Sequence, residues 1–376
     1  MNFYVDARAL QKPNWRGEQF YVYEIIDRMA DLGREHTFHL HFGWECWNDR
    51  LTTLAAKPNI VAHRHPGRVR SHLSIPFEIL RTGSRVYYRM YNEDSPMRVA
   101  VSAPIAALVH DNGRHLYPSM YGVDDALALR ARTARHIRRF GRIITVSQTV
   151  KEEIIKLFKL SPHRIVVASN GLQTSDPAAP AVRPNMLPSG AVFFLLVNPG
   201  GAHKNWRQAL QGFAAFANRR PVDRPIYLVI AGDLYSQETP IAQTIAAIGS
   251  LRGRVLRLGY VSDAELRYLY RHARLMVYTS RYEGFGRPIL EAMAYGVPVI
   301  VSDIPVFREV AGDAAVRVPL DDAAALADAF ERVECDIDLR SQLIESGRNR
   351  IEAYPLDHSA KATLDALVTL GRGNRA

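Results

Sequence analysis

The chain has 376 residues, 47% hydrophobic and 23% charged, which is long enough for two or three domains of ordinary globular composition. Its two cysteines, Cys46 and Cys335, exclude a disulfide framework and a cysteine-based zinc site, and they fit a cytoplasmic location. The longest apolar run, 191–197, is far shorter than a membrane span, and no signal peptide opens the chain. We therefore expect no segment that crosses a membrane.

The net charge of +10 is concentrated in the first half of the chain. Residues 1–176 have a net charge of +8, whereas residues 177–376 have only +2. Such a surplus predicts contact with an anionic partner, such as lipid headgroups, a lipid diphosphate or nucleic acid. An arginine-rich genome would produce the same surplus, so both explanations stay open.

Strands and helices alternate in the first half. We predict strands at 2–6, 38–42, 59–63, 105–109, 142–146 and 164–168, and helices at 18–32, 126–140 and 148–158. Gly17 precedes the first helix, where it either lets a ligand approach the backbone or serves the turn. His110 and Asp111 follow a strand, at the end where parallel sheets bind ligands. His110 is either an acid–base group or a structural histidine.

Two basic segments have alternative interpretations. Residues 81–98 interleave aromatic and arginine side chains, as in base-stacking surfaces, membrane interfaces and acceptor grooves. No RNP, KH or zinc-finger pattern supports nucleic-acid binding. The helix at 126–140 has five arginines around more than half of its circumference, which suits either a membrane-facing or a solvated helix.

A proline-rich segment at 173–190 predicts a linker, beyond which the alternation restarts. Strands are expected at 191–197, 226–231, 255–258, 275–279 and 297–301, with helices at 205–218, 263–272, 305–311, 322–334, 338–352 and 357–370. The loop 198–204 contains a Gly-Gly pair and Lys204, a phosphate-cradling arrangement in principle, although it is not a Walker A motif. Lys204 is either a charge that faces a diphosphate or a surface lysine.

A second motif places two carboxylates around a helix start. Glu283 and Glu291 have seven residues between them, and Gly286 and Pro288 lie within that interval, with Pro288 expected at the first helical position. A helix N-terminus binds anions, and carboxylates beside it suit hydroxyl groups. A ligand with phosphates in the middle and hydroxyls at both ends is a nucleotide sugar. A structural turn with two solvated glutamates is the alternative.

Alternating strands and helices on both sides of a linker predict two doubly wound α/β domains, with ligands bound in the cleft between them. From about 192 to 319 the sequence resembles the C-terminal half of retaining glycosyltransferases of family 4, which have the GT-B fold. The similarity is carried by the loop at 204–205 and by the strings 231–233, 258–262, 283–286, 291–294 and 296–299. In the first half it is thinner, and it covers Gly17, 110–111, 145–147 and 170–171.

The resemblance implies two Rossmann-like domains that face each other across a cleft. Residues 1–175 would bind the acceptor, residues 190–354 would bind the nucleotide sugar, and residues 355–376 would cross back to pack on the first domain.

The resemblance also implies roles for individual residues. Lys204 would neutralise the departing diphosphate, Glu283 would hold the donor sugar, and Glu291 would accept hydrogen bonds from the ribose hydroxyls. His110 would lie on the acceptor side, near the sugar. Further donor contacts would come from Gly17, Gly201, Tyr260, Val261, Gly284, Phe285, Gly286, Arg287, Pro288 and Ile289. Family members often have an arginine five or six residues before the lysine, where this chain has 198–200. Arg287 or His203 would have to replace it.

The expected activity is retaining transfer of a hexose, with mannose from GDP-mannose favoured, to a lipid-linked or oligosaccharide acceptor of surface polysaccharide. Neither a cofactor nor a metal is expected. The protein would be cytoplasmic, with peripheral attachment to the inner membrane face. The alternatives are rhamnosyl or glucosyl transfer from dTDP- or UDP-sugars, a non-transferring sugar-nucleotide 2-epimerase, and a basic nucleic-acid-binding module. The absence of GxGxxG after any strand disfavours a dehydrogenase.

Overall fold

The computed structural model describes residues 1–12, 15, 17–43, 47–65, 68–90, 101–172, 179–220, 225–234, 238–251 and 253–373. The chain divides into two compact units, one formed by Met1–Gly171 with Tyr354–Ala376 and the other by Leu172–Ala353. Each unit contains a parallel β-sheet with helices on both faces. The prediction of two doubly wound α/β units is therefore confirmed.

The sheet of the first unit has the order β3-β2-β1-β4-β5-β6-β7, and all its pairings in the described residues are parallel. Its strands are β1 (Asn2–Asp6), β2 (Thr37–Phe42), β3 (Ile60–Arg64), β4 (Val86–Arg89), β5 (Ile105–Val109), β6 (Arg142–Thr145) and β7 (Ile165–Val167). The helices that precede the second unit are α1 (Gly17–Leu32), α2 (Asp49–Ala55), α3 (Arg68–Arg81), α4 (Gly113–Leu116), α5 (Ala126–Ile137) and α6 (Gln148–Phe158). Apolar side chains of α3, α5 and α6 pack together on one face of this sheet.

The sheet of the second unit is also parallel, in the order β10-β9-β8-β11-β12-β13 over the described residues. Its strands are β8 (Val192–Val197), β9 (Ile226–Ala231), β10 (Val255–Gly259), β11 (Leu275–Tyr278), β12 (Val299–Ser302) and β13 (Ala315–Val318). Its helices are α7 (Trp206–Ala217), α8 (Glu238–Ala247), α9 (Asp263–His272), α10 (Arg287–Ala294), α11 (Pro305–Ala311), α12 (Ala323–Cys335) and α13 (Ile337–Ile351). The order reverses between β8 and β11, where doubly wound sheets bind ligands.

The last helix, α14 (Leu356–Gly371), returns to the first unit, as expected from the sequence. It packs on α1 and contacts β4, β6 and β7. The hydroxyl of Ser359 donates to the carbonyl oxygen of Ser169, and Leu364 approaches Gly33 so closely that a Cβ at Gly33 would lie 2.9 Å from it. The helix therefore completes the first unit.

The interpretation of residues 81–98 as a stacking or acceptor surface is wrong for the part that the structure describes. Tyr87 and Tyr88 are 2% and 0% exposed and lie in β4, between β1 and β5. Valine and tyrosine favour strands, and a central strand buries both of its faces. Residues 91–98 lie outside the described residues. Five further elements were not predicted from the sequence, namely α2, α3, α4, α8 and β13.

The helix α5 ends at Ile137, before the predicted end at 140. The arginines of this segment are all exposed, and none has an acidic partner among the described residues. They are Arg130, Arg132, Arg135, Arg138 and Arg139. Their charge is therefore presented to solvent.

Residues 173–178 of the expected linker lie outside the described residues. The residues that follow lie along α9. Arg267 donates to the carbonyl oxygen of Pro180 (2.8 Å), Arg271 to that of Ala179 (3.0 Å), and the Val182 amide to that of Ala264 (3.0 Å). These hydrogen bonds attach the second half of the linker to the second unit.

Three expected absences concern membrane spans, metal ligands and disulfides. Among the described helices, none is long and apolar enough to cross a bilayer. The described residues contain no group of three or more His, Cys, Asp or Glu side chains placed to hold a metal ion. Cys335 is a free, exposed cysteine, and Cys46 lies outside the described residues.

Histidines line one face of β2 and β3. His39 Nδ1 lies 3.0 Å from His63 Nε2, and the ring of His41 stacks on that of His65 with centroids 4.8 Å apart. The Tyr4 hydroxyl lies 2.8 Å from His41 Nδ1. Burial lowers the pKa of His41 to about 3 and that of His39 to about 4. Both side chains are therefore neutral at pH 7.

We predict that the free energy of unfolding falls as the pH drops below about 6.5, the pKa of an unfolded histidine. Between that pH and the lower folded pKa values, the unfolded chain binds protons that the folded chain excludes. One histidine contributes up to about 1.4 kcal/mol per pH unit in this window. Urea midpoints between pH 7.5 and 4.5 measure the slope. His41→Gln should flatten it, the exposed His163→Gln should not, and equal slopes in both variants would contradict the prediction.

Candidate functional site

The helix start at Gly286 needs glycine for two reasons. Gly286 precedes α10 with φ of 98°, a left-handed conformation that glycine tolerates. A Cβ atom here would lie 2.8 Å from Cε1 of Phe307. Since α10 begins at Arg287, Pro288 takes the second helical position instead of the predicted first. Within the first turn, Pro288 has no backbone N–H and the amide of Ile289 donates to the carbonyl oxygen of Gly286 (2.9 Å), so an anion here would be attracted by the positive end of the helix dipole.

Lys204 and Glu283 form a nearly buried ion pair. Lys204 closes a single 3-10 turn, Ala202–Lys204, after β8. Its Nζ lies 2.6 Å from Oε1 of Glu283, and the two side chains are 16% and 13% exposed. Burial opposes both charges, but mutual attraction outweighs it, so the pKa of Lys204 is raised and that of Glu283 is lowered. The site therefore holds a fixed cation and a fixed anion at neutral pH.

Backbone contacts hold the two loops of this pair together. The amide of Arg281 donates to the carbonyl oxygen of His203 (2.7 Å), and the hydroxyl of Thr279 donates to that of Asn205 (3.1 Å). Thr279 is fully buried. Because β8 and β11 are neighbours in the sheet, their following loops start side by side. Because Lys204 and Glu283 are far apart in sequence, no local sequence pattern predicts this contact.

Two further side chains of the site were missed from the sequence. The hydroxyls of Tyr278 and Ser280 donate to Oε1 of Glu283, at 2.9 and 2.7 Å. Lys204 Nζ also donates to the Tyr278 hydroxyl (3.0 Å). The available signal was the polar run that follows the apolar residues of β11, at the ligand-binding edge of the sheet.

Glu291 is held by two donors. The Tyr270 hydroxyl lies 3.0 Å from Oε2, and Arg287 Nε lies 2.9 Å from Oε1. The ring of Tyr270 stacks on Tyr295 with an interplanar angle of 5°. Burial, followed by the charge of Glu291, raises the pKa of Tyr270, so the hydroxyl keeps its proton and donates. Glu291 remains 28% exposed and so can accept further hydrogen bonds.

The other residues of this unit that were predicted to contact the nucleotide sugar differ in how exposed they are. Phe285 and Ile289 are 3% and 0% exposed, so their side chains are not accessible to a ligand. Tyr260, by contrast, is 62% exposed at the end of β10, beside the partly buried Val261. Gly284 is also partly buried.

Turns beside these residues are closely packed. The amide of Gly232 donates to the carbonyl oxygen of Gly259 (2.7 Å), which joins the ends of β9 and β10. A Cβ at Gly201 would lie 2.5 Å from the ring of His203, so a larger residue there would displace that ring.

The remaining predicted residues, Gly17 and His110, belong to the first unit. Gly17 begins α1, and a Cβ there would meet open space. The ring of His110 meets Tyr21 edge-on, and burial lowers its pKa, so it is neutral. Asp111 accepts a hydrogen bond from the Gly113 amide (2.7 Å), which gives it a structural role at the start of α4.

Comparison with known proteins bears on the second unit and on the fold. Residues 182–350 match the family "Glycosyl transferases group 1". Over 226 residues the chain is 31% identical to the Salmonella typhimurium O-antigen chain mannosyltransferase RfbU, with 60% of each chain covered. Over 193 residues it is 35% identical to the Escherichia coli O-antigen chain mannosyltransferase B, with 49% of each covered. The chain thus matches about half the length of these curated relatives.

Solved structures resemble the whole chain. Anabaena Alr3699/HepE, in complex with UDP and glucose, has a TM-score of 0.73 at 16% identity and covers 98% of this chain and 99% of its own. Sucrose-phosphate synthase from Thermosynechococcus elongatus has a TM-score of 0.72 at 16% identity and covers 99% and 100%. At such identities the likeness establishes the fold, which is GT-B. Residues 182–350 therefore match a group 1 glycosyl transferase domain, and the chain that contains them has the GT-B fold.

Proposed function

We propose that the protein is a retaining glycosyltransferase that moves a hexose from a nucleotide sugar to a hydroxyl group of an acceptor. The observation that carries the proposal is the buried pair of Lys204 and Glu283 beside the start of α10. A cation and a helix N-terminus suit a diphosphate, and carboxylates suit sugar hydroxyls. The group 1 domain at 182–350 supports the same reaction class.

In the proposed reaction, the bond between the anomeric carbon and the diphosphate oxygen breaks, and the acceptor oxygen bonds to that carbon on the same face. The acceptor proton passes to the departing diphosphate. Lys204, whose raised pKa keeps it charged, would neutralise the charge that grows on the leaving group. Glu283 would hold sugar hydroxyls and Glu291 the ribose hydroxyls, so these side chains position and stabilise rather than bond covalently. His110 would contact the acceptor side.

We propose GDP-mannose as the donor and a lipid-linked or oligosaccharide acceptor in the synthesis of surface polysaccharide. Two relatives named as O-antigen mannosyltransferases support the choice of mannose, whereas GDP as its carrier follows only from the resemblance of the sequence. The UDP-glucose complex of HepE, whose fold is similar, favours a UDP-sugar as the second candidate. By resemblance to the group 1 family, the base would lie near Tyr260 and Val261.

A thermal-shift screen should identify the donor. We expect GDP-mannose to raise the melting temperature more than UDP-glucose or dTDP-rhamnose does, because a ligand that binds only the folded state stabilises it by mass action. At a concentration one hundred times its Kd, the gain is about 2.7 kcal/mol. Stabilisation by UDP-glucose alone would contradict the mannose assignment and leave the reaction class intact.

Substitutions in the ion pair and at Glu291 should separate turnover from binding. Lys204→Ala should lower kcat by roughly a hundredfold, about 3 kcal/mol. Glu283→Gln, which keeps the side-chain volume, should also lower kcat, whereas Glu291→Ala should mainly raise the donor KM. Initial rates with radiolabelled donor measure all three.

The control is Glu345→Ala, which removes an exposed glutamate of α13 and should leave the rates unchanged. Melting temperatures of each variant must be recorded, because removing one partner of a buried ion pair destabilises the fold. Near-normal transfer by all three site variants would refute the assignment of these residues.

Product analysis distinguishes the alternatives. Acceptor-dependent release of nucleoside diphosphate supports transfer, whereas an isomerised donor without an acceptor would indicate a 2-epimerase. The nucleic-acid hypothesis requires salt-dependent binding of DNA or RNA that survives substitution of Glu283 and Glu291.

We also propose that the first unit attaches peripherally to the inner, anionic face of the cytoplasmic membrane through the exposed arginines of 130–139. Arginines near an anionic surface contribute about 1 kcal/mol each. Replacing Arg132, Arg135 and Arg139 by glutamine should therefore weaken binding to phosphatidylglycerol vesicles by roughly a hundredfold in co-sedimentation. Neutral phosphatidylcholine vesicles and high salt are the controls. Equal binding of wild-type and variant protein would exclude this surface.

A further inference from the structure

The two oxygens of Glu283 have different surroundings. Oε1 accepts three hydrogen bonds, from Lys204 Nζ at 2.6 Å, Ser280 Oγ at 2.7 Å and the Tyr278 hydroxyl at 2.9 Å. No described residue donates to Oε2. A carboxylate offers about four lone-pair sites, two on each oxygen. The protein therefore uses Oε1 as an anchor and leaves Oε2 for a ligand.

Tyr278 is the side chain that contacts both charges of the pair. Its hydroxyl donates its only proton to Glu283 and accepts a proton from Lys204 (3.0 Å). Burial, followed by the charge of Glu283, raises the pKa of Tyr278, so the proton stays on the hydroxyl and the direction of both bonds is fixed. Lys204 Nζ donates two of its three protons, one to Glu283 and one to Tyr278, and the third proton remains for another acceptor.

The position of the hydroxyl is set by the ring. Tyr278 is 3% exposed at the end of β11, and its ring centroid lies 5.4 Å from that of Phe307. Lys204 Nζ, which donates to the hydroxyl of the same tyrosine, lies 5.3 Å from its ring centroid. Phe307 also approaches Gly286 at the start of α10. The contact between Tyr278 and Phe307 therefore links the position of the ion pair to that of the N-terminus of α10.

We infer that Tyr278 is a positioning residue that holds Lys204 and Glu283 as one rigid unit, with Oε2 aimed at a hydroxyl of the donor sugar. The remaining proton of Lys204 is then available to a phosphate oxygen. This inference rests on the proposed function and deepens it. A pair fixed before the donor arrives does not have to reorganise during the reaction, which is the basis of electrostatic preorganisation.

The test is Tyr278→Phe, which keeps the ring on Phe307 and removes only the hydroxyl. We expect kcat to fall at least about tenfold, as for loss of a hydrogen bond to a charged group, with a smaller change in the donor KM. The acid limb of the kcat profile should move to higher pH, because Glu283 loses a donor that stabilises its charged form. Ser280→Ala removes another donor to Oε1 and should move the same limb while it leaves the Lys204 contact intact.

The matched control is Tyr227→Phe, which removes a hydroxyl from β9 that has no hydrogen bond to the described residues. If Tyr278→Phe equals this control in kcat and pH profile, the inference is overturned and the proposed function stands. An unshifted acid limb in both Tyr278→Phe and Ser280→Ala, whatever their melting temperatures, would also overturn it. A wild-type protein that transfers no sugar would overturn the proposed function, and the inference with it.

Discussion

The ion pair between Lys204 and Glu283 is the constraint on which the second unit depends. Taking two charges out of water costs several kcal/mol per ion, and attraction alone repays this only when further hydrogen bonds satisfy the pair. Tyr278 and Ser280 supply those bonds at Oε1. The loops that present the pair follow β8 and β11, the neighbouring strands at which the order of the sheet reverses. The sheet topology therefore brings together residues that are far apart in sequence.

Glu283 and Glu291, eight residues apart, are fixed by different means. Glu283 is anchored by groups from the loop after β8 and from the end of β11, whereas Glu291 is anchored by Arg287 one helical turn earlier and by Tyr270 of α9. One carboxylate is nearly buried and the other is 28% exposed. The same side-chain type thus meets two dielectric environments, in keeping with the two roles proposed for these carboxylates, contact with the reacting sugar and contact with the ribose.

Much of the architecture could be predicted from the sequence because apolar runs and capping residues are local signals. The capping box of Ser262 and Glu265, for example, begins α9 where expected. The contact of Lys204 with Glu283 spans 79 positions and depends on strand order, which no local pattern encodes. The strand β4 was missed because arginines beside its tyrosines resemble a surface, although the tyrosines are buried.

The return of α14 makes the first unit discontinuous. A Cβ at Gly171 would lie 2.7 Å from the carbonyl oxygen of Tyr354, so the two points where the chain leaves and re-enters this unit are adjacent. The second unit is thus topologically an insertion, contiguous in sequence and with neighbouring ends. During synthesis, α14 leaves the ribosome only after the whole second unit. Lys204 and Glu283 can therefore meet while the first unit still lacks its last helix, because during translation the second unit has all its residues before the first unit does.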